Sequence, residues 1–523
     1  MKKRFLQFRS VLVMESILRL RRTSTLVLFL FMCAAAFMLM PEAGSGGTTF
    51  LIDERRVLLN SAAASLATAM LGGMIFSLAG FYLVSNSIAR DVRTGVGSLV
   101  ASTPVSSARY LAGKLFGNIL YLSIIGAVFM TACMGMHLLR GEMPLEPVVY
   151  FRTFGIMFLP LIPVVASIAL MFESVPLLSG RGGDALYFFI WTLSIGLSAA
   201  IVMGTKGRAW LLSTDISGIG FFIREIETTI KTTSVSIGYA TFDRTLPPIL
   251  FPGLKWIPDI VVPRLISAVI AFPLFGIAWV SFRRFDPAKK GMRTKTGLFS
   301  RIQQKIGRSW FHIPKVGWPA GSASFLKGVL LDFRMTLVLS PVVLAVIALS
   351  SVACLFAPVE VIRATLLPIA FFVLVPLLAS IPTRDRAANA TELIFSAPIV
   401  RQNFVSIKFL SALLTAALVC LVPLIRIGPD SPFGALELLN GMLFLAAGAT
   451  ILGVLTNTPK TFTAVFLLFL YVAMSSRGVP GFDFAGWHMI GTAAVAASYA
   501  MVSVLMMSTA WWTDWMRMGK ERR

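Results

Sequence analysis

Twelve apolar stretches of 16 to 23 residues recur along the chain and constrain its fold more than any other feature. They lie near 25–41, 62–84, 116–137, 152–172, 185–204 and 263–282, then near 336–356, 363–381, 409–426, 434–455, 461–476 and 488–510. Each approaches the roughly 20 residues with which a helix crosses a hydrocarbon layer about 30 Å thick. Hydrophobic residues make up 56% of the 523 and charged residues 14%, with a mean hydropathy of +0.81. A soluble protein of this size lacks the interior to hide so much apolar side chain. Backbone polar groups inside lipid must pair within their own segment, which selects helices. The expectation is an all-α, polytopic integral membrane protein of about twelve transmembrane helices. Pro160, Pro163, Pro368 and Pro376 fall inside two of the stretches, where neighbouring helices can satisfy the freed carbonyls.

The formal net charge of +23 would suit a nucleic-acid binder if it were spread evenly. It is not. Residues 1–24 carry seven basic side chains and one acidic one, and 283–329 carry eleven and one, whereas 205–262 carries six and five. This is the positive-inside bias, so both termini and the centre are expected in the cytoplasm, facing anionic lipid headgroups rather than nucleic acid. The first apolar run lacks a convincing cleavage site and follows 24 basic, amphipathic residues, so it reads as a retained span. Cys33, Cys133, Cys354 and Cys420 all sit inside apolar runs at no metal-ligand spacing and read as small core residues.

The twelve stretches form two sets of six, and a gapless repeat supports the division. Residues 89–114 (ARDVRTGVGSLVASTPVSSARYLAGK) and 383–408 (TRDRAANATELIFSAPIVRQNFVSIK) begin 294 residues apart. Six of the 26 positions are identical: Arg90/Arg384, Asp91/Asp385, Leu99/Leu393, Ser102/Ser396, Pro104/Pro398 and Lys114/Lys408. Four more keep their character, Tyr110/Phe404 among them. Each copy is a polar break between the second and third spans of its half. The expected organisation is a first half over 1–282, a basic cytoplasmic linker over 283–329 and a second half over 330–523. Amphipathic stretches at 5–20 and 324–335 are expected to lie in the headgroup layer ahead of each half. The halves differ outside: a Gly-rich loop at 41–49 and the long segment 205–262 belong to the first only. Within that segment, 218–230 reads as a short amphipathic helix and 246–259 as a rigid proline-rich loop. It suits an external cap or partner site, and equally a merely structural lid.

Enzyme chemistry has little to work with. His137, His312 and His488 lie far apart, and there is no HExxH, Cys/His cluster or GxSxG. Gly113-Lys114 and Gly519-Lys520 are followed by Leu115 and Glu521, so neither completes a Walker A loop. The LLSGRGG run at 177–183 reads as a turn. Ion-driven carriers place ionisable groups inside their spans. Arg152, Glu173 and Arg264 fall near span ends, where snorkelling is the simpler reading.

The repeated cassettes therefore carry the mechanism. Each opens with Arg-Asp after a span and continues as a helical stretch. Ser-x-Pro then breaks the helix, because proline lacks an amide donor and disfavours a helical residue before it. Ser106 and Ser107 can cap the following helix, and Lys114 or Lys408 marks re-entry. The order Asp, helical stretch, Leu-x-x-Ser-x-Pro, aromatic, Lys resembles the cytoplasmic segment of type-2 ABC exporter permeases, as do six spans per half and an interfacial helix before the first. Copy two, with Glu392-Leu393 before Ser396-Ala397-Pro398, is the closer copy; copy one has Ser98 in place of the acid.

The resemblance implies a permease subunit with both halves fused in one chain. Two copies of a separate soluble ATPase subunit would dock on coupling helices. The residues concerned are Arg90, Asp91, Leu99, Ser102, Pro104 and Lys114 in copy one, and Arg384, Asp385, Glu392, Leu393, Ser396, Pro398 and Lys408 in copy two. It implies no cofactor in this chain, ATP and magnesium belonging to the partners, and a cell-membrane location of the bacterial inner-membrane kind. The competing class is a twelve-span secondary transporter of major facilitator type, which predicts ionisable groups in its cavity. A membrane-embedded transferase would need clustered acids or histidines at the membrane face.

Overall fold

A computed structural model of the chain describes residues 13–15, 17–42, 44, 46–204, 215, 217–230, 232, 235–256, 258–282, 285, 324–338, 341–388, 390–475 and 479–521. Contacts divide the chain into two units, Met1–Pro287 and Ala288–Arg523. Most of the linker expected at 283–329 lies outside the described residues.

In unit one, α1 (Val13–Leu20) meets α2 (Thr23–Leu39) at an angle of 69°. The bend separates a charged helix from an apolar one. A hairpin follows, β1 (Gly47–Ile52) and β2 (Arg55–Arg56), joined by Asp53 and Glu54, both at positive φ. Two left-handed residues match the twist of a tight hairpin. On its other edge β1 pairs antiparallel with β3 (Val235–Thr241), with Gly47 opposite Thr241 and Ile52 opposite Val235. This three-stranded sheet departs from the all-α expectation. It joins the Gly-rich loop and the long segment into one body, because the buried Thr48, Thr49, Phe50 and Ile52 favour a pleated surface.

The helices of unit one are α3 (Ser61–Val84), α4 (Ser87–Arg93), α5 (Val96–Ser102), α6 (Ser107–Arg140), α7 (Pro147–Ser174), α8 (Arg181–Gly204), α9 (Ile219–Ile230), α10 (Pro258–Ile266) and α11 (Ala271–Ser281). The amphipathic helix expected at 218–230 is α9. Core packing centres on α3 and α7. A Cβ on Gly73 would lie 2.3 Å from the Met157 methyl, and one on Gly72 2.5 Å from Phe129, so glycine here permits close helix approach.

Unit two comprises α12 (Ser324–Val338), α13 (Pro341–Phe356), a span Val359–Ser380 with a π-turn at Ile362–Leu366 running into α14 (Leu367–Ser380), α15 (Arg384–Ala387), α16 (Thr391–Phe395), α17 (Pro398–Gln402), α18 (Phe404–Ile427), α19 (Pro432–Thr456), α20 (Pro459–Ser475) and α21 (Ala493–Glu521).

Every apolar stretch is largely helical. Among the described residues eight helices are long and apolar enough to cross a membrane, nine if α1 and α2 count together. Within the stretches at 185–204, 336–356 and 461–476 the described residues include the shorter apolar helices Gly183–Leu197, Ile347–Phe356 and Pro459–Met474.

Candidate functional site

The cassettes are not single helical stretches. Copy one forms α4 and α5, divided at Gly95, whose φ of 75° suits a residue without Cβ. Copy two forms α15, α16 and α17: α16 ends at Phe395 with Ser396 as its C-cap, and Pro398 opens α17 at its first turn. Ser106 caps α6, its Oγ accepting from the Arg109 amide at 3.4 Å.

The charges shared by the two cassettes point inward. In unit one Glu15 of α1 receives Lys114 Nζ at 2.7 Å, Arg90 Nη2 at 2.5 Å and, one turn along its own helix, Arg19 Nε at 2.9 Å. Asp91 lies 2.8 Å from Lys114 Nζ and accepts from the Tyr110 hydroxyl at 2.7 Å. Arg19 also donates to the Leu83 and Val84 carbonyls at 3.1 Å, satisfying acceptors left open at the end of α3. Glu15, Asp91 and Lys114 are 3%, 5% and 2% exposed.

Unit two repeats the arrangement with different residues in support. Asp332 of α12 receives Lys408 Nζ at 2.6 Å and Arg384 Nη2 at 2.5 Å. Lys408 also lies 2.5 Å from Asp385 Oδ2, close in distance but off the line of a hydrogen bond. Arg384 Nη1 donates to Thr336 Oγ1 at 2.7 Å. The residue four past the helix acid is thus Arg19 in unit one and Thr336 in unit two. Each lysine ammonium also stands over the ring at the repeat's aromatic position, Tyr110 at 5.6 Å and Phe404 at 5.3 Å.

Burial raises the carboxyl pKa of Glu15, but the charges of Arg19, Lys114 and Arg90 outweigh it and hold the group at about 2. At Asp332 burial is likewise overcome by Lys408 and Arg384, and the pKa is lowered.

The thirteen residues marked out by the repeat therefore divide in two. Arg90, Asp91, Lys114, Arg384, Asp385 and Lys408 are engaged inside the protein, with Arg90 partly exposed. Burial and pairing leave these six bracing the cassette. Leu99, Ser102, Pro104, Glu392, Leu393, Ser396 and Pro398 face outward. Leu99 is 67% and Leu393 77% exposed. Ser102 Oγ donates to the Leu99 carbonyl at 2.8 Å and Ser396 Oγ to the Leu393 carbonyl at 2.6 Å, so the repeated Leu-x-x-Ser closes the turn carrying the exposed leucine.

Sequence reasoning missed the acids that complete each cluster. Glu15 is the single acid among the first 24 residues, which was the available signal. The offset concealed the parallel: Lys114 is 99 residues from its acid and Lys408 is 76 from its own. The extra residues include the β1–β2 hairpin.

Two supposed snorkelling residues also have other roles. Glu173 at the end of α7 accepts from the Ser87 and Ile88 amides at 2.8 and 2.6 Å, capping α4 across a tertiary contact. Arg264, 2% exposed, donates to the Met157 and Asp215 carbonyls. Arg152 is exposed and lies over the Trp256 ring at 5.5 Å. In unit two a polar group inside the candidate spans went unnoticed: Arg363, Glu437 and, in a connecting loop, Asp483 are 3%, 4% and 1% exposed. Among the described residues no group of three or more His, Cys, Asp or Glu is placed to hold a metal ion.

No family model matches the chain, and neither does any curated protein or solved structure. Fold and site together define a helical membrane protein of two units. In each, a polar cassette is keyed by buried charge to the first described helix of its unit.

Proposed function

We propose that this chain is the membrane subunit of an ABC-type exporter, driven by separate ATP-binding subunits that dock on its two cassettes at the cytoplasmic face. One observation carries the reading. Both cassettes display a large leucine on a short, hydroxyl-closed turn while anchoring that turn to the body by buried ion pairs. An exposed apolar knob on a braced mount is what a docking surface requires, since a lone leucine on a loose loop would cost ordering entropy on binding. Force applied at Leu99 would pass through Lys114 to α1 and α6, and force at Leu393 through Lys408 to α12 and α18. ATP and magnesium would be held by the partners. Copy two, with Glu392 beside Leu393, is the stronger dock, so the two ATPase sites would be unequal.

The test is co-purification of the full chain with the soluble ATPase encoded nearest to it. Leu393→Asp is expected to release the partner while leaving thermal stability unchanged, and Leu99→Asp to weaken retention less. Transport by the reconstituted chain alone, under an ion gradient, would overturn the proposal. That second reading, an ion-driven carrier, draws on the buried Arg363, Glu437 and Asp483 and on the π-turn holding Arg363.

A further inference from the structure

Glu437, in the second turn of α19, is a carboxyl group buried without a donor. It is 4% exposed, and among the described residues no hydrogen bond or ion pair reaches it. Its oxygens lie against the connecting loop that precedes α21. A Cβ on Gly486 would stand 2.8 Å from Oε2 and one on Gly491 1.7 Å from Oε1, so both positions need glycine. The charged groups that act on it are Asp483 of that loop and Arg363 at the head of the span Val359–Ser380. Asp483 accepts from the His488 and Ile490 amides at 3.2 and 3.1 Å, which accounts for its burial. Arg363 extends only to the Gly486 carbonyl, with Nη1 at 3.4 Å, and its Nε has no partner.

These surroundings select a ligand. An ionised carboxylate only accepts hydrogen bonds, whereas a protonated one also donates. The uncharged groups beside Glu437 offer acceptors. The Gly434 carbonyl lies 3.4 Å from the same Gly486 Cβ position. Asn440, one turn along α19, donates from Nδ2 to the Ala496 carbonyl at 2.5 Å and leaves Oδ1 without a partner. Two glycine backbones pressed against the carboxyl favour a hydrogen over an ion with its coordination shell. An ionisable side chain inside a span is costly and marks an ion pathway by default. Along α19, Glu437 stands roughly 24 Å from Gly453, which packs against Pro382 at the root of cassette two. We propose that Glu437 is a proton-exchange site, taking up and releasing a proton at the end of unit two remote from its cassette. Release leaves a buried carboxylate beside a guanidinium that has no ion pair. Closing that gap moves Arg363 on its π-turn and frees the Gly486 carbonyl, so exchange is tied to the seating of the loop 479–492. The inference rests on neither reading of the function above.

The full chain would be reconstituted in liposomes and treated with dicyclohexylcarbodiimide, which adds to a protonated carboxyl in an apolar site, and the adducts mapped by peptide mass spectrometry. At about pH 5 the wild-type protein is expected to carry the adduct on Glu437 roughly tenfold over Asp483, and at about pH 9 roughly tenfold less of it. Exchanging sodium for choline in the buffer should leave the yield unchanged. Glu437→Gln should remove the adduct in a chain that still melts cooperatively. No adduct on Glu437 at the lower pH, or equal yield at both, overturns the assignment. So does protection by sodium, which would mark a metal-ion site instead. Each decisive measurement is made on the wild-type chain, so a Glu437→Gln variant that fails to fold leaves the test intact.

Discussion

Lys408 Nζ lies 2.6 Å from Asp332 Oδ1, joining α18 to a helix 76 residues earlier, and both side chains are almost entirely removed from solvent. Lys114 and Glu15 make the same contact at 2.7 Å in unit one. Such pairs are costly to form in a low-dielectric setting but more costly to break, because removing one partner strands the other.

Lys408→Met should accordingly destabilise the protein by about 3–5 kcal/mol. Asp332→Asn combined with Lys408→Met should cost less than the sum of the two single changes. A double-mutant cycle on thermal unfolding in detergent measures the difference, and simple additivity would mean that the pair is not coupled.

Acid should loosen both clusters. The pKa of Glu15 is depressed from 4.5 to about 2 and that of Asp332 is lowered. A carboxyl with a folded pKa below its unfolded one adds stability that is complete above the unfolded value and disappears as pH falls through the folded one. Melting temperature should therefore fall as pH drops from about 4.5 toward 2, and Glu15→Gln should flatten part of that slope. A melt series over this range reads it directly.

Glu173 holds α4 from outside its own chain segment. Glu173→Ala removes both acceptors and should weaken the start of the cassette by about 1–2 kcal/mol. Hydrogen exchange at Ser87 and Ile88 should accelerate while the core of α3 stays protected. Unchanged exchange at those amides would contradict the capping role.

Gly453 of α19 lies against the root of cassette two, where an added Cβ would stand 2.2 Å from Pro382 Cγ. Gly453→Ala should cost about 1–3 kcal/mol by overpacking. Leu393→Ala, on the exposed turn, should change stability by less than about 0.5 kcal/mol. Parallel melts of these two variants separate the packed root from the free apex.

Much of this was legible in the linear chain. Helices appear at all twelve apolar stretches because the 20-residue scale of a bilayer is written directly into composition. The position of each cassette, its Ser-x-Pro interruption and the amphipathic α9 were equally local signals. The sheet was not, since β1 and β3 are nearly 190 residues apart in sequence and a strand is stable only with its partner.

The amino-acid sequence determined that the chain is rich in long apolar helices of the membrane kind, and that Arg, Asp, Leu, Ser, Pro and Lys recur at matched places in its two cassettes. Tertiary structure alone decided what those six do. It turned Arg, Asp and Lys inward onto Glu15 and Asp332, and turned Leu, Ser and Pro outward. Spacing along a chain cannot distinguish a charge that meets a partner protein from one that meets its own preceding helix. Burial distinguishes them, and burial exists only once distant segments have packed.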